Sequence, residues 1–287
     1  MSEAVPFTVV VPAYNEEGGI GPSLRELQEV LADHSYELIV VDDGSVDDTA
    51  RIAREAGATV LSQPENRGYG ASLKTGIRAA KHDRIVITDA DGTYPASAIP
   101  KMVAALDDYE MVVGARTGAN VNIPLVRRPA KWALRKLASF LAGREIPDLN
   151  SGLRAMRREL VRRYEHILPS GFSFTTTITL SALCRDHLVR YEPIDYHARV
   201  GDSKIRTRHA FDFLLLIVRT IVYFNPLKVF LPLGAVFVLA GAGKTAYDIW
   251  IGNLSESAIF AFLAGGLVWA VGLLSDQISR MSMRNDG

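Results

Sequence analysis

The segment RIVITDADGTYP, residues 84–95, decides how the chain is read. It opens as an apolar, β-branched run and then places two aspartates, Asp89 and Asp91, one residue apart. Side chains at i and i+2 of a strand share a face, so a strand reaching this point projects both carboxylates together. Three readings compete. The carboxylates share a divalent cation, which cancels their repulsion and suits oxygen ligands. They form an acid and base pair of the kind that cleaves glycosidic bonds. Or they are solvated turn residues, since Asp and Gly are common turn formers.

The flanking sequence narrows the choice. FTVVVP (7–12), ELIVVDDGS (37–45), TVLSQ (59–63) and MVVGAR (111–116) read as further strands. Helical patterns fill the gaps, over 17–33 with Leu24, Leu27, Val30 and Leu31 on one face, then 47–57, 68–80 and 98–106. Strand and helix in alternation, with strands that are continuous apolar runs, predict an α/β fold: a Rossmann-like, mostly parallel sheet with helices on both faces. Such sheets bind ligands beyond the carboxyl ends of their strands. There the chain places residues 12–16, 42–45 and 89–91, so the acidic groups gather at one rim. That gathering disfavours the solvated-turn reading.

The last third differs in character. Residues 226–250 are mainly apolar, interrupted by Lys228, Lys244 and Asp248, and residues 257–275 carry no charge. A bilayer core takes about 20 apolar helical residues, so two membrane helices are expected, about 227–250 and 257–275, within 226–287. A buried hairpin of a soluble domain is the competing reading. The connecting DIWIGNLSE has no Lys or Arg, whereas Arg206, Arg208, Arg219, Lys228, Arg280 and Arg284 flank the other ends. The positive-inside rule then places both termini and the large domain, residues 1–205, in the cytoplasm. Two helices, about 127–143 and 206–225, mix cations or aromatics with apolar residues and are expected at the membrane surface, with core-facing helices as the alternative.

Composition adds little. The chain has 287 residues, with 32 basic and 32 acidic, so net charge points to no nucleic acid or other charged partner. Cys184 is the only cysteine, which excludes an intrachain disulfide. The N-terminus lacks a signal-peptide pattern. The six histidines show no metal-ligand spacing, and GYGASLK does not match the phosphate loop ending in Gly-Lys-Ser/Thr. Gly68 and Gly70 read as turn residues at a helix start.

Seven motifs occur in order: VVVPAYNEE (9–17), VVDDGSVDDT (40–49), NRGYGASLKTGI (66–77), DADGTYP (89–95), GAR (114–116), DLNSGLRAMRR (148–158) and RVGDSK (199–204). Together with the C-terminal hairpin they resemble family-two inverting glycosyltransferases of the GT-A fold, in the polyprenyl-phosphate branch that includes dolichyl-phosphate mannose synthase. The resemblance implies a membrane enzyme that moves a hexose from a nucleoside diphosphate sugar, UDP more than GDP, to polyprenyl phosphate with inversion, using Mg²⁺ or Mn²⁺. It implies donor contacts at Pro12, Tyr14, Glu16, Asp43, Asp89, Ala90 and Asp91, with Asp89 and Asp91 as metal ligands. It places Arg199, Ser203 and Lys204 on a loop over the diphosphate, Ser203 also serving the acceptor phosphate. Arg116, Arg127 or Arg128, Ser151 and Arg154 become acceptor-phosphate contacts, and Asp91, Arg116 and Arg154 the catalytic set. Relatives often carry Gln where this chain has Thr93, which leaves the role of Thr93 open. A homo-oligomer is a further expectation.

Chemistry agrees with the acceptor. A lipid monophosphate is already anionic, so no side chain need remove a proton from it, as a sugar hydroxyl would require. Two alternatives remain. A processive polysaccharide synthase shares the early motifs but carries a Gln-x-x-Arg-Trp motif, which is absent here. A non-catalytic membrane adaptor would not need Asp43, Asp89, Asp91 and Arg154.

Overall fold

The apolar run at Phe7–Ala13 forms strand β1, buried along its whole length. Val9 and Val11 enter one hydrophobic cluster and Val10 another, as a two-residue repeat requires when both faces are covered. The computed structural model describes residues 5–117, 128–196, 210–253 and 255–285. Strands β2 (Tyr36–Asp42), β3 (Thr59–Ser62), β4 (Arg84–Ile87) and β5 (Met111–Ala115) follow, alternating with helices α1 (Glu17–Val30), α2 (Thr49–Glu55), α3 (Tyr69–Ala79) and α4 (Ile99–Ala104). Residues of α1, α2 and α4 cover one face of the sheet and those of α3 the other.

After β5 come α5 (Arg128–Ala142), β6 (Arg154–Arg157), α6 (Arg158–Tyr164), α7 (Phe174–Cys184) and β7 (Val189–Pro193). The sheet has seven strands in the order β3-β2-β1-β4-β6-β5-β7. β6 runs antiparallel between β4 and β5, and the other pairings are parallel. Two features differ from the sequence expectation. β6 and β7 carry no apolar run to announce them. And β4 stops at Ile87, so Asp89 and Asp91 stand in the turn after the strand rather than on it. Gly92, at φ +68°, supplies the left-handed residue of that turn.

Helix α3 lies on β1 and β2 at Gly76. A Cβ there would come within 2.4 Å of Val10 Cγ1 and 3.0 Å of Val41 Cγ2. Both neighbours are β-branched and stiff at χ1, so they cannot turn aside. Gly76→Ala gains about 1 kcal/mol of helix propensity but meets an overpacking cost of about 1–3 kcal/mol. We expect a net loss, read as a lower Tm. A Tm unchanged or raised would show that the contact yields.

The C-terminal third begins with α8 (Ala210–Phe224), then α9 (Leu227–Ile251) and α10 (Glu256–Asn285). α9 and α10 are long and apolar enough to cross a membrane, and only 11% and 17% of their apolar windows are buried. A hairpin buried in a soluble core would show the opposite. α10 continues to Asn285, well beyond the charge-free stretch that ends at Ser275: no Gly or Pro stands in that extension, and Arg280 Nε pairs with Asp276 Oδ2 at 2.7 Å, one turn apart. The charges inside α9 are satisfied. Asp248, wholly buried, accepts from Lys244 and from the Ser255 backbone N–H. Such pairing is what a membrane segment demands of its ionic groups.

α5 and α8 join the two parts. Each is two-sided. Ala138 and Leu141 of α5 pack with Ile217 and Ile221 of α8 against Leu180 and Leu183 of α7. Trp132, Phe140, Leu214 and Leu215 remain exposed. The core-facing expectation holds for one face of each helix, and the other face leaves these apolar side chains uncovered. Lys228 Nζ reaches Leu141 O at 3.0 Å and Ser279 Oγ reaches Tyr223 O at 2.5 Å, which ties the hairpin to the α/β domain.

Candidate active site

The cleft lies beyond the carboxyl ends of the strands and encloses about 330 Å³. Its walls are set by loops that bond to one another. Asn15, at φ +51°, donates its N–H to Ser45 Oγ at 3.0 Å and accepts from Val46 N–H at 3.0 Å. Glu16 N–H donates to Thr49 Oγ1 at 2.8 Å. The loop after β1 is thus latched to the loop after β2, and Pro12, Tyr14 and Glu16 line the cleft. Asp43 crosses to the start of α3, accepting from the Arg67 and Gly68 N–H groups at 2.9 Å each. Gly68, at φ +97°, precedes α3 as its turn residue.

Asp89, Ala90 and Asp91 line the same cleft. Asp91 is almost fully buried, and its Oδ1 accepts from Thr93 twice, from Oγ1 at 2.6 Å and from N–H at 3.1 Å. Thr93 thereby orients a carboxylate, a role the sequence alone leaves open. Asp89 Oδ1 accepts from the Tyr69 hydroxyl at 3.0 Å. Burial, then the Asp89 charge, push the Tyr69 phenol well above its ordinary pKa, so it remains a donor at neutral pH. On the other side of Asp89 stands Gly152, where a Cβ would come within 2.7 Å of Oδ2. Gly152 N–H in turn donates to the Tyr94 hydroxyl oxygen at 2.7 Å.

Arg116 lines the cleft and is bonded in bidentate fashion to Asp148, Nε to Oδ2 at 2.7 Å and Nη2 to Oδ1 at 2.9 Å. Burial works against both charges. The paired hydrogen bonds outweigh it, holding Arg116 above and Asp148 below their ordinary pKa values. The Arg116 guanidinium also lies 5.2 Å from the Tyr196 ring centroid.

Two expected residues are not in the cleft wall. Arg154 is wholly buried, donating from Nε to Ser151 O at 2.9 Å and from Nη2 to Leu149 O at 3.0 Å, with Nη1 bonded to Thr179 Oγ1. Ser151 is also fully buried. The resemblance assigns both to an acceptor phosphate. The structure instead makes Arg154 the brace of the Leu149–Gly152 turn, through which Asn150 and Gly152 reach the cleft. Arg127, Arg199, Ser203 and Lys204 lie outside the described residues, and Arg128 is placed only as the first residue of α5.

Tyr69, Tyr94, Asn150 and Phe172 line the cleft without having been singled out from sequence. Tyr69, Tyr94 and Asn150 sit inside quoted motifs, and that membership was their only signal. Phe172 has none. Its place depends on a loop from the far end of the domain.

No group of three or more His, Cys, Asp or Glu able to hold a metal occurs among the described residues. The cleft offers instead two carboxylates close in sequence. That donor set fits a hard cation that takes one or two carboxylates and completes its shell with phosphate oxygens and water.

The glycosyl transferase family 2 model matches residues 8–165, which hold the sheet up to β6 and the whole acidic rim. The chain belongs to this family. A GtrB C-terminal hairpin model matches residues 225–281, the α9–α10 pair. Dolichyl-phosphate hexose transferase of Haloferax volcanii is 36% identical over 201 residues, covering 69% of this chain and 86% of the relative. An undecaprenyl-phosphate 4-deoxy-4-formamido-L-arabinose transferase of Pseudomonas fluorescens is 28% identical, covering 96% and 85%. Glucosyl-3-phosphoglycerate synthase of Mycobacterium tuberculosis, solved with Mn²⁺, UDP-glucose and phosphoglyceric acid, superposes with a TM-score of 0.59 at 26% identity, covering 74% and 79%. The same synthase is also known with Mg²⁺ and UDP.

Proposed function

We propose that this family 2 enzyme transfers a hexose from a nucleoside diphosphate sugar, UDP in preference to GDP, to a polyprenyl phosphate, with inversion at the sugar carbon. The observation that carries the reading is the convergence of Glu16, Asp43, Asp89 and Asp91 on one cleft of a chain that ends in a membrane hairpin. An anionic donor enters so acidic a cleft only with compensating charge. Asp89 and Asp91 would hold Mg²⁺ or Mn²⁺, which when bound supplies the positive charge that stabilises a diphosphate leaving group.

The chain's own groups do the rest. Asp43, fixed by two backbone N–H donors, presents a rigid carboxylate edge suited to a base. Tyr14 and Glu16 flank the ribose. Arg116, already oriented by Asp148, lends its remaining N–H groups and charge to a phosphate. The acceptor phosphate attacks without a dedicated base, so catalysis rests on alignment and on charge placed in advance. Arg127, Arg128, Arg199, Ser203 and Lys204 would add cations or donors around the two phosphates.

The exposed faces of α5 and α8 lie at the membrane surface in this reading, with both termini and the α/β domain in the cytoplasm, as the basic flanks of the hairpin favour. Radiolabel transfer tests the whole. Purified protein in detergent receives Mn²⁺ or Mg²⁺, a short polyprenyl phosphate, and UDP- or GDP-sugars one at a time. Metal-dependent labelling of the lipid is expected with one donor. No labelling by folded protein with any donor would favour the adaptor alternative.

A further inference from the structure

Asp89 is bounded by two separate parts of the chain, at Tyr69 and at Gly152, and the first of them leads out to the surface. The Tyr69 hydroxyl donates to Asp89 Oδ1 at 3.0 Å. The Tyr69 ring stacks on Phe172, with centroids 5.6 Å apart and planes 19° from parallel. Phe172 is 52% exposed and lines the cleft, so its outer face lies open beside the acidic groups.

The loop that carries Phe172 is clamped onto the start of α3. Ala71 N–H donates to Ser170 O at 3.0 Å, and Lys74 Nζ to Leu168 O at 3.0 Å. The approach is so close that a Cβ on Gly68 would stand 2.6 Å from Ser170 O, and one on Gly70 2.3 Å from Pro169 O. Glycine at both places lets the loop backbone press against the helix. Phe172 therefore has little freedom to leave Tyr69. An exposed large aromatic side chain is ordinarily a free rotor; this one is carried on a fixed loop against a buried phenol.

We propose that Tyr69 is a positioning residue for Asp89 and that Phe172 acts on Asp89 through the Tyr69 ring, so the loop before α7 sets the aim of a metal-binding carboxylate. The inference rests on the reading of Asp89 and Asp91 as the cation site. Tyr69 fixes the carboxylate through its hydroxyl, and Gly152 bounds the opposite side. Phe172 fixes the plane of the phenol. Removing the hydroxyl loosens the aim of Asp89, and removing the stack loosens the hydroxyl.

The test is Mn²⁺ binding to the full-length protein in detergent, with and without UDP, followed by electron paramagnetic resonance of free Mn²⁺. Tyr69→Phe keeps the ring and the stack and should weaken Mn²⁺ binding by about 10-fold, the lower end for loss of a group that orients a ligand. Phe172→Leu should weaken it less, and Phe172→Tyr, which restores a stacking ring, should bind as the native protein does. In the Tyr69→Phe background, Phe172→Leu should have no further effect, because its route to Asp89 is gone. Asp91→Asn separates the premise from the proposal. If Asp91→Asn binds Mn²⁺ normally, the cation-site reading fails and the proposal with it. If Asp91→Asn loses binding but Tyr69→Phe does not, the proposal alone is overturned. If Phe172→Leu adds its full effect to Tyr69→Phe, Phe172 does not act through Tyr69. Phe172 is half-exposed, so its variants keep the fold and report independently of any loss of stability at Tyr69.

Discussion

Asp91→Ala should lower turnover by about 10³-fold, while the protein still folds and inserts into membranes. The size follows from chemistry. A cation at a developing diphosphate charge contributes several kcal/mol, and each 1.36 kcal/mol is a factor of ten in rate. The small structural effect follows from position. Asp91 lies in the turn after β4, outside the sheet, and it accepts hydrogen bonds from its near neighbour Thr93. Losing the two bonds from Thr93 costs about 1–3 kcal/mol. Initial rates across a Mn²⁺ titration, with flotation of the variant on vesicles, check both halves. A variant that works at the native rate without added metal would remove the cation from the proposed mechanism. A variant that fails to float would mean the turn supports the fold after all.

The parts of the fold that could be read from the sequence are those where burial leaves a pattern. β1, β2, β4 and β5 are buried nearly throughout and show as apolar runs. The helices between them show apolar faces. β6 escapes because Arg154 and Arg157 frame it, and its neighbours on both sides supply the apolar surface instead. β7 lies at the sheet edge, half-buried, and its Arg190 and Glu192 break any run. The ends of β4 and α10 were also hidden. A strand's last residue is fixed by where its partner's ladder stops, which is a tertiary fact. A helix continues past its apolar stretch until something breaks it.

The site divides in the same way. Side chains that leave the ends of apolar strands were legible, because strand order fixes where they meet. Pro12, Tyr14, Glu16, Asp43, Asp89, Asp91 and Arg116 all line one cleft. The residues that aim them were not. Tyr69, Tyr94, Gly152 and Phe172 act across 20 to more than 80 positions of sequence, and no local pattern records such a contact. Asp89 and Asp91 share the cleft through a glycine turn, and not through a strand's alternation.

Arg154→Ala should lower stability by about 3–5 kcal/mol before it touches acceptor use, the range for truncating a large buried side chain whose polar partners are left behind. A solvated arginine serving a phosphate would cost little to remove. This one is wholly buried, and burial lowers its pKa, opposed by the nearby Tyr191 and Asp148 groups. Its loss leaves the carbonyls of Leu149 and Ser151 and the Thr179 hydroxyl without their donor and opens a void between β6 and α7. The Leu149–Gly152 turn would then relax, and Gly152 would no longer bound Asp89. Thermal unfolding in detergent shows the first effect as a large fall in Tm. The acceptor KM of whatever folds shows the second. An unchanged Tm with a raised acceptor KM would return Arg154 to the acceptor phosphate. A lowered Tm with activity lost for donor and acceptor alike would fit a brace. Arg154→Lys discriminates further, since one ammonium can satisfy some of the three acceptors but cannot reproduce the planar fork. It should recover part of the stability, whereas a phosphate contact, for which a point charge suffices, should recover most of the activity.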